Sequence, residues 1–282
     1  MTRETLAGKI IALGVTGSIA ATEVVRLAHE LRRRGAVVQA VMTPAAARIL
    51  HPDAVTYATG RPALTAITGM VEHVLYCGEG GRADLLLVAP CTANTLAKIA
   101  LGIDDTPVTT FATTAIGRGM PVVIAPAMHG SMYRHPAIAT HLKVLAEWGI
   151  DVIEPRMEEG RAKLASLETI VLHVERALSG MPLRGKKVLV TSGPCAEPVD
   201  DVRILTTRST GRMGREMALE AFRLGAEVTV VHSESLPCVR NVMAGSAAEM
   251  REAVHRIFRD EGADIYVSAA AVSDFAPERA RG

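Results

Sequence analysis

Aromatic residues are scarce in this chain, at 3% of 282 residues, so a base-stacking surface for nucleic acid is not expected. Net charge is scarce too. Lys and Arg number 31 against 30 Asp and Glu, a formal +1, which advertises neither a nucleic-acid groove nor an acidic tail. The four cysteines, Cys77, Cys91, Cys195 and Cys238, contain no C-x-x-C pair; they suit a reducing compartment and propose no zinc site. No uninterrupted apolar run approaches the length of a membrane span, and Met1 to Gly8 is too polar for a signal peptide. The expectation is a cytoplasmic protein with neither nucleic acid nor membrane as partner. A third glycine is also missing: Gly14 and Gly17 give G-x-x-G-S and not G-x-G-x-x-G, so the dinucleotide fingerprint is not met.

What the chain has is apolar substance, 49% hydrophobic residues against 22% charged, enough for two domains. Its most ordered stretch is Lys9 to Gly35. There the apolar strand Ile10 to Val15 meets the turn Thr16-Gly17-Ser18-Ile19-Ala20 and then a helix. Ala20, Val24, Leu27, Ala28 and Leu31 recur at helical spacing, and Gly35 stands where a left-handed C-terminal residue is wanted. A strand that runs through a small-residue turn into a helix start exposes backbone N–H groups to an anion, which points to a phosphate-bearing cofactor. A tight turn without a ligand fits the same residues.

The pattern repeats down the chain. Strand 36–42 leads through Thr43 to a helix at 45–50, and residues 51–83 read as loop. Strand 84–89 is a near-continuous apolar run of the kind buried on both faces of a parallel sheet; it empties into Pro90-Cys91-Thr92-Ala93-Asn94-Thr95 and a helix through 101. Strand 120–127 ends in Pro126-Ala127-Met128-His129-Gly130-Ser131-Met132-Tyr133, and a helix at 136–148 and a short strand at 151–154 follow. After a charged loop at 156–161, a helix at 166–178 and a break at Gly180-Met181-Pro182, the pattern restarts. Strand 187–191 runs into Ser192-Gly193-Pro194, a polar connection, and a helix at 213–224 whose apolar face reads Met213, Met217, Ala218, Ala221 and Leu224; helix 247–259 and strand 264–269 complete it. Arg223-Leu224-Gly225-Ala226 mirrors Arg33-Arg34-Gly35-Ala36. The fold class is therefore α/β, two Rossmann-like doubly wound parallel-sheet domains in tandem, 1–180 and 181–282, with the polar turns gathered on one sheet edge.

Gly17-Ser18-Ile19-Ala20, Pro90-Cys91-Thr92-Ala93-Asn94-Thr95 and Pro126-Ala127-Met128-His129-Gly130-Ser131-Met132 together resemble the flavin-dependent cysteine decarboxylases. Thr191-Ser192-Gly193-Pro194, the run from Asp200 to Gly214 and Ala269 to Phe275 resemble phosphopantothenate-cysteine ligase. Their order is that of the bifunctional coenzyme A biosynthesis family. The resemblance implies FMN held by Gly17, Ser18, Ile19, Thr43, Thr92, Ala93, Asn94 and Thr95, and His73 as the base that takes the thiol proton of the substrate's cysteine. On the residues alone a surface or capping role is the commoner reading of such a histidine. In the ligase-like half it implies CTP and magnesium, with Met128 on the substrate side of the first site and Gly193, Thr207, Ser209, Gly211, Met213, Gly214, Ala270 and Asp274 at the second. The substrates implied are phosphopantothenate, cysteine and phosphopantothenoylcysteine, and the assembly a trimer or a dodecamer.

Departures from the family pattern are informative. His129 replaces the asparagine that holds the substrate carboxylate; an imidazole donates one hydrogen bond, charge-assisted when protonated. The usual lid cysteine is absent from the stretch Glu154 to Arg161, with Cys77 and Cys91 nearby in the motif map. Thr207 stands for an asparagine, and the family's lysine-rich segment beyond Asp274 has no counterpart in these residues. The second half therefore reads as incomplete. A flavin prenyltransferase and a non-catalytic flavin-binding regulatory protein share the first-half fold and are the alternatives; the ligase-like half and His73 speak against the first, and His73 against the second, which His129 and the absent lid cysteine keep open.

Overall fold

The computed structural model describes residues 4–274, 276 and 277; Phe275 of the ligase-like motif lies outside the described residues. Two compact units divide the chain, Met1–Leu178 and Ser179–Gly282.

The first unit begins with β1 (Ile10–Val15), a short 3-10 turn (Ile19–Glu23), α1 (Val24–Arg33) and β2 (Val37–Met42). Then come α2 (Pro44–Ala47), α3 (Pro52–Thr59), α4 (Glu72–Cys77), β3 (Leu85–Cys91), α5 (Ala93–Leu101), α6 (Pro107–Gly117) and β4 (Val122–Pro126). It closes with β5 (Met128–His129), α7 (Gly130–Tyr133), α8 (Pro136–Glu147), β6 (Asp151–Val152), β7 (Arg156–Glu158), β8 (Arg161–Lys163) and α9 (Leu167–Leu178). Five strands pair in parallel in the order β2-β1-β3-β4-β6.

The period-2 alternation of β1 explains the three layers. Ile11, Leu13 and Val15 join a core shared with Val24, Leu27 and Leu31 of α1 and Ile170, Val171 and Val174 of α9. Ala12, on the opposite face, joins Leu86 and Val88 of β3, Leu96 of α5, Phe111 of α6 and Leu145 of α8. Strands covered on both faces must be apolar at every position, and β3 is buried throughout. Each leucine so buried contributes about 1.5–3 kcal/mol.

The second unit holds β9 (Lys187–Thr191), β10 (Ala196–Pro198), β11 (Ile204–Thr206), α10 (Arg212–Arg223), β12 (Glu227–His232), β13 (Arg240–Met243), α11 (Ala247–Asp260) and β14 (Ile265–Ser268). Its four parallel strands run β13-β12-β9-β14. Leu189 and Val231 face Met250, Ala253 and Ile257 of α11, while α10 packs on β9 and β12.

The mirrored tetrapeptides end their helices in the same way. Gly35 has φ +90° and Gly225 φ +99°; Ala36 N–H reaches Leu31 O and Ala226 N–H reaches Ala221 O, at 3.2 and 3.0 Å. A left-handed residue is what turns each chain out of its helix and into a parallel strand.

Several expectations are corrected. Residues 51–83 are not loop throughout: α3 is started by His51, whose Nδ1 accepts from Asp53 N–H, with Pro52 in the first turn and Gly60 left-handed at its end, and α4 follows after irregular chain at 60–71. Capping, not apolar periodicity, defines these short helices. Helix α6, opened by a reciprocal Thr106–Thr109 capping box, had no counterpart in the reading of the sequence. The charged loop at 156–161 is a β-hairpin, β7 paired with β8. On α10, Met213 and Met217 are exposed; Gly214, Ala218, Leu219, Ala221 and Phe222 form the buried face.

Candidate functional site

In the strand order β2-β1-β3-β4-β6 the chain leaves β1 toward one side and resumes as β3 on the other, which opens a crevice between their carboxyl ends. Thr16, fully buried, ties the two ends together. Its hydroxyl donates to Pro90 O at 2.7 Å and accepts from Thr92 N–H at 3.0 Å. Ser18 Oγ accepts from Ala20 N–H at 3.4 Å at the start of the 3-10 turn. Thr92 Oγ1 accepts from Thr95 N–H at 3.3 Å and donates to Thr95 Oγ1 at 3.2 Å, capping α5. Thr43 Oγ1 likewise accepts from Ala46 N–H to cap α2. Ser18, Thr43 and Thr92 accept in helix caps worth about 1 kcal/mol each, which leaves the Ser18 and Thr43 hydroxyls able to donate. Backbone donors lie beside them. Among the described residues the N–H groups of Gly17, Ile19, Ala93 and Asn94 have no acceptor, the orphan donors of helix starts that suit a phosphate. A Cβ on Gly17 would lie 2.5 Å from Ala45 Cβ, so glycine is what lets this turn sit against α2.

Beside the crevice lies a cavity of about 790 Å3. One wall is the 3-10 turn and α1 from Ser18 to Arg26; another is Ala127, Met128 and His129; a third is the hairpin with Leu164 to Leu167. The hairpin turns through Glu159 (φ +51°) and Gly160 (φ +70°), both left-handed as a two-residue type I′ turn requires. It also pairs antiparallel with β5, Met128 opposite Ala162 and His129 opposite Arg161. Gly130 N–H donates to Gly160 O at 3.1 Å. His129 Nδ1 lies 3.0 Å from Ser131 Oγ. Met128 is half-buried and His129 exposed to the cavity. Arg26, Arg161, Lys163 and Ser166 are wall residues to which the sequence reading gave no role; the alternating character of 156–163 was hidden by its charge.

His73 does not line this cavity. It sits half-buried on α4, and its Nδ1 is buried with no hydrogen-bond partner among the described residues. The start of that helix is strained. Val71, a β-branched residue, has φ +47°, a conformation costing about 1–3 kcal/mol. It is braced by Glu72, whose carboxylate accepts from Thr68 N–H at 2.9 Å and Thr68 Oγ1 at 2.5 Å. The Thr68 hydroxyl, first among the causes, holds that carboxyl below its ordinary 4.5. Thr43, Thr92, Ala93, Asn94 and Thr95 also lie outside the cavity wall, at the crevice. Cys77 and Cys91 are both buried, and burial pushes the Cys77 thiol up to about 12 and the Cys91 thiol higher. Thiols so reluctant to ionise are poor replacements for a lid cysteine that gives up its proton.

In the second unit the turn after β9 meets the start of α10. Ser192 Oγ donates to Gly211 O at 3.0 Å, and a Cβ on Gly214 would lie 2.5 Å from Ser192 Cβ and Oγ. Gly193 and Gly211 are left-handed, at φ +87° and +66°. Ser209 Oγ accepts from Gly211 N–H, and Thr207 Oγ1 accepts from Ser209 N–H. Ala271 N–H donates to Gly193 O at 2.9 Å, tying in the segment after β14. Ala270 there is half-buried, while Asp274 and Met213 are exposed. Among the described residues no cluster of three or more His, Cys, Asp or Glu could hold a metal ion, and no helix is long and apolar enough to cross a membrane.

A parallel sheet in this order is that of the flavodoxin-like doubly wound α/β proteins, and orphan N–H groups at its crevice suit a phosphate-bearing ligand. The family description "Flavoprotein" matches residues 1–179, and "DNA/pantothenate metabolism flavoprotein C-terminal domain" matches 183–282. The coenzyme A biosynthesis bifunctional protein CoaBC of Thermococcus kodakarensis is 50% identical over 274 residues, covering 96% of this chain and 68% of its own length. CoaBC of Vibrio vulnificus is 36% identical over 292 residues, covering 97% of this chain and 70% of its own. Among solved structures, the FMN-dependent cysteine decarboxylase SpaF is 31% identical with a TM-score of 0.53, covering 59% of this chain and 94% of its own. The chain belongs to the CoaBC family of coenzyme A biosynthesis bifunctional proteins.

Proposed function

We propose that the protein works in coenzyme A biosynthesis, and that residues 1–180 form an FMN-dependent decarboxylase that converts phosphopantothenoylcysteine to phosphopantetheine. The observation that carries this reading is the set of orphan N–H groups of Gly17, Ile19, Ala93 and Asn94 at the β1/β3 crevice. They fit the FMN phosphate, with Ser18, Thr43, Thr92 and Thr95 holding the turns that present them. When bound, FMN would accept the two electrons from oxidation of the carbon next to sulfur, which makes loss of carbon dioxide easy, and would return them to the decarboxylated product, so that the conversion is redox-neutral overall. His73, whose Nδ1 has no partner among the described residues and which stands outside the wall of the cavity, is the group we assign to take the thiol proton when the substrate's cysteine reaches it, chemistry an imidazole performs near neutral pH. Met128 and His129 bound the cavity where the substrate's cysteine end lies, and His129 donates a hydrogen bond to its carboxylate.

Residues 181–282 are the ligase-like nucleotide-binding part, with CTP and magnesium as the activating pair. Gly193, Thr207, Ser209, Gly211, Met213, Gly214, Ala270 and Asp274 are the contacts proposed; the Ser192–Gly211 link supports a phosphate cradle there. The whole is proposed to work as a trimer or a dodecamer on small-molecule substrates.

Purified protein should be yellow with an FMN spectrum and release carbon dioxide from phosphopantothenoylcysteine. Finding NAD or FAD in place of FMN, or no carbon dioxide from an FMN-loaded sample, rejects the reading.

A further inference from the structure

The cavity wall carries five groups that are or can be positive: Arg26, His129, Arg156, Arg161 and Lys163. Most already have an anionic partner. Arg26 pairs with Glu23 at 3.1 Å, Arg156 with Glu158 at 3.3 Å, and Lys163 with Glu158 at 3.0 Å and Glu159 at 3.2 Å. Arg161 has no ion pair or hydrogen bond from its side chain among the described residues. Glu158, which faces it across the hairpin, spends its carboxylate on Arg156 and Lys163.

Register decides where Arg161 stands. It is directly opposite His129 in the β5–β8 pair. Since Gly130 N–H bonds Gly160 O, the next pair, His129 with Arg161, is a non-hydrogen-bonded one, in which Cα atoms approach to about 4.5 Å and side chains are closest. A guanidinium and an imidazole thus emerge together on one face of the cavity.

We infer that Arg161 is the carboxylate-reading cation of the decarboxylase site, acting with His129 as a two-point receptor for the carboxylate of the acyl-cysteine substrate. The inference rests on the reading of the first unit as a cysteine decarboxylase. A guanidinium supplies permanent charge and paired donors that match a carboxylate; His129 adds one more N–H. Because the group it holds leaves as neutral carbon dioxide, Arg161 favours bound substrate over the transition state. Its loss should therefore appear in KM more than in kcat.

The test compares wild type with Arg161→Gln on three ligands, with FMN retention reporting an intact fold. Phosphopantothenoylcysteine carries both phosphate and carboxylate, pantothenoylcysteine only the carboxylate, and phosphopantetheine only the phosphate. Arg161→Gln should raise KM for both cysteine conjugates by roughly ten- to a hundredfold, the worth of a charge-assisted contact, and leave the inhibition constant of phosphopantetheine within about twofold. Arg161→Lys should recover a large part of the loss. Unchanged KM for both conjugates overturns the inference. Weaker phosphopantetheine inhibition with unchanged pantothenoylcysteine KM also overturns it, since Arg161 would then read phosphate. If Arg161→Gln sheds FMN, Arg161→Met, which keeps the apolar stem, is judged by the same criteria. A wild type that releases no carbon dioxide from either conjugate breaks the decarboxylase reading and this inference together; wild-type turnover with an unaltered variant breaks only the inference.

Discussion

In the first unit β3 is buried at every residue from Leu85 to Cys91. In the second, β14 also pairs in parallel beside the first strand of its sheet, yet leaves Ile265, Tyr266 and Ser268 exposed. Both strands are apolar runs of similar character, so the difference lies in what covers them. In the first unit α5, α6 and α8 close one face and α1 and α9 the other. In the second, β14 is an edge strand among the described residues, with Tyr266 meeting Phe258 in a T-shaped contact at 5.6 Å. The same strand-turn-helix device serves both units, and full coverage of the sheet distinguishes the one that carries a large cavity at its carboxyl edge.

The functional side of that contrast is broken or upheld most sharply by a pair of substitutions. His73→Asn in the first unit should cost roughly two to four orders of magnitude in carbon dioxide release, the usual worth of a positioned base, and keep the yellow colour. Asp274→Asn in the second should leave that rate unchanged. Near-normal turnover by His73→Asn would remove it from the chemistry.

Next in size are two glycines in matching places. A side chain on Gly17 meets Ala45, and one on Gly214 meets Ser192, each at 2.5 Å, so backbone must move. Gly17→Ala and Gly214→Ala should each destabilise their own unit by about 1–3 kcal/mol, the cost of overpacking. The single tryptophan, Trp148, lies in the first unit; its fluorescence in denaturant should shift for Gly17→Ala and not for Gly214→Ala. Equal shifts would mean the units do not unfold separately.

A smaller effect is expected where a hydroxyl fastens each strand-end turn. Thr16→Val leaves Thr92 N–H without its acceptor and should cost about 1–3 kcal/mol together with FMN retention. Ser192→Ala removes one bond to Gly211 O and should cost about 1 kcal/mol. Retained FMN in Thr16→Val would separate the crevice clamp from cofactor binding.

How much of this was legible in the residues follows from what each element needs. Strands β1 and β9 run over the residues their apolar pattern delimits, because a strand buried on both faces is hydrophobic end to end. Helices α3 and α6 were not legible: one is short and polar, the other rich in threonine, and their starts are fixed by His51 and Thr106 acting as caps. The hairpin at 156–163 was hidden because Glu159-Gly160 is an uncommon spelling of a type I′ turn. Met213 and Met217 misled because an apolar residue on a helix says nothing about whether a neighbour covers it. At the site, the small polar turns were legible and the commitment of Thr43 and Thr92 to capping was not. Arg161 could not be placed beside His129 without the β5–β8 register.

The smallest expected effect is a pH dependence confined to the second unit. His232, at the end of β12, is 3% exposed, and its Nε2 lies 2.7 Å from Asn241 Oδ1. The Asn241 orientation is fixed, since Nδ2 donates to Leu236 O and Val239 O while Oδ1 accepts from Leu236 N–H. His232 Nε2 must therefore carry the hydrogen. Burial, outweighing the Asn241 bond and the charge of Glu234, holds the imidazole below its ordinary 6.5. The folded state then binds fewer protons than the unfolded one. This contribution is complete above pH 6.5 and is lost as pH falls through 6.5 toward the lower folded value, with a slope no steeper than about 1.4 kcal/mol per pH unit for one group. The depressed carboxylates Asp200, Glu249, Glu261 and Asp264 start from 3.8 or 4.5, so they lose their share only in more acid solution and do not confuse the window. Hydrogen exchange of β12 and β13 amides, with Trp148 fluorescence following the first unit as reference, should show the second unit weakening between pH 7 and pH 5. His232→Gln, which keeps a donor toward Asn241 without titrating, should flatten that dependence. An equal slope in the variant would assign the acid sensitivity to some other group and leave His232 a structural hydrogen-bond donor alone.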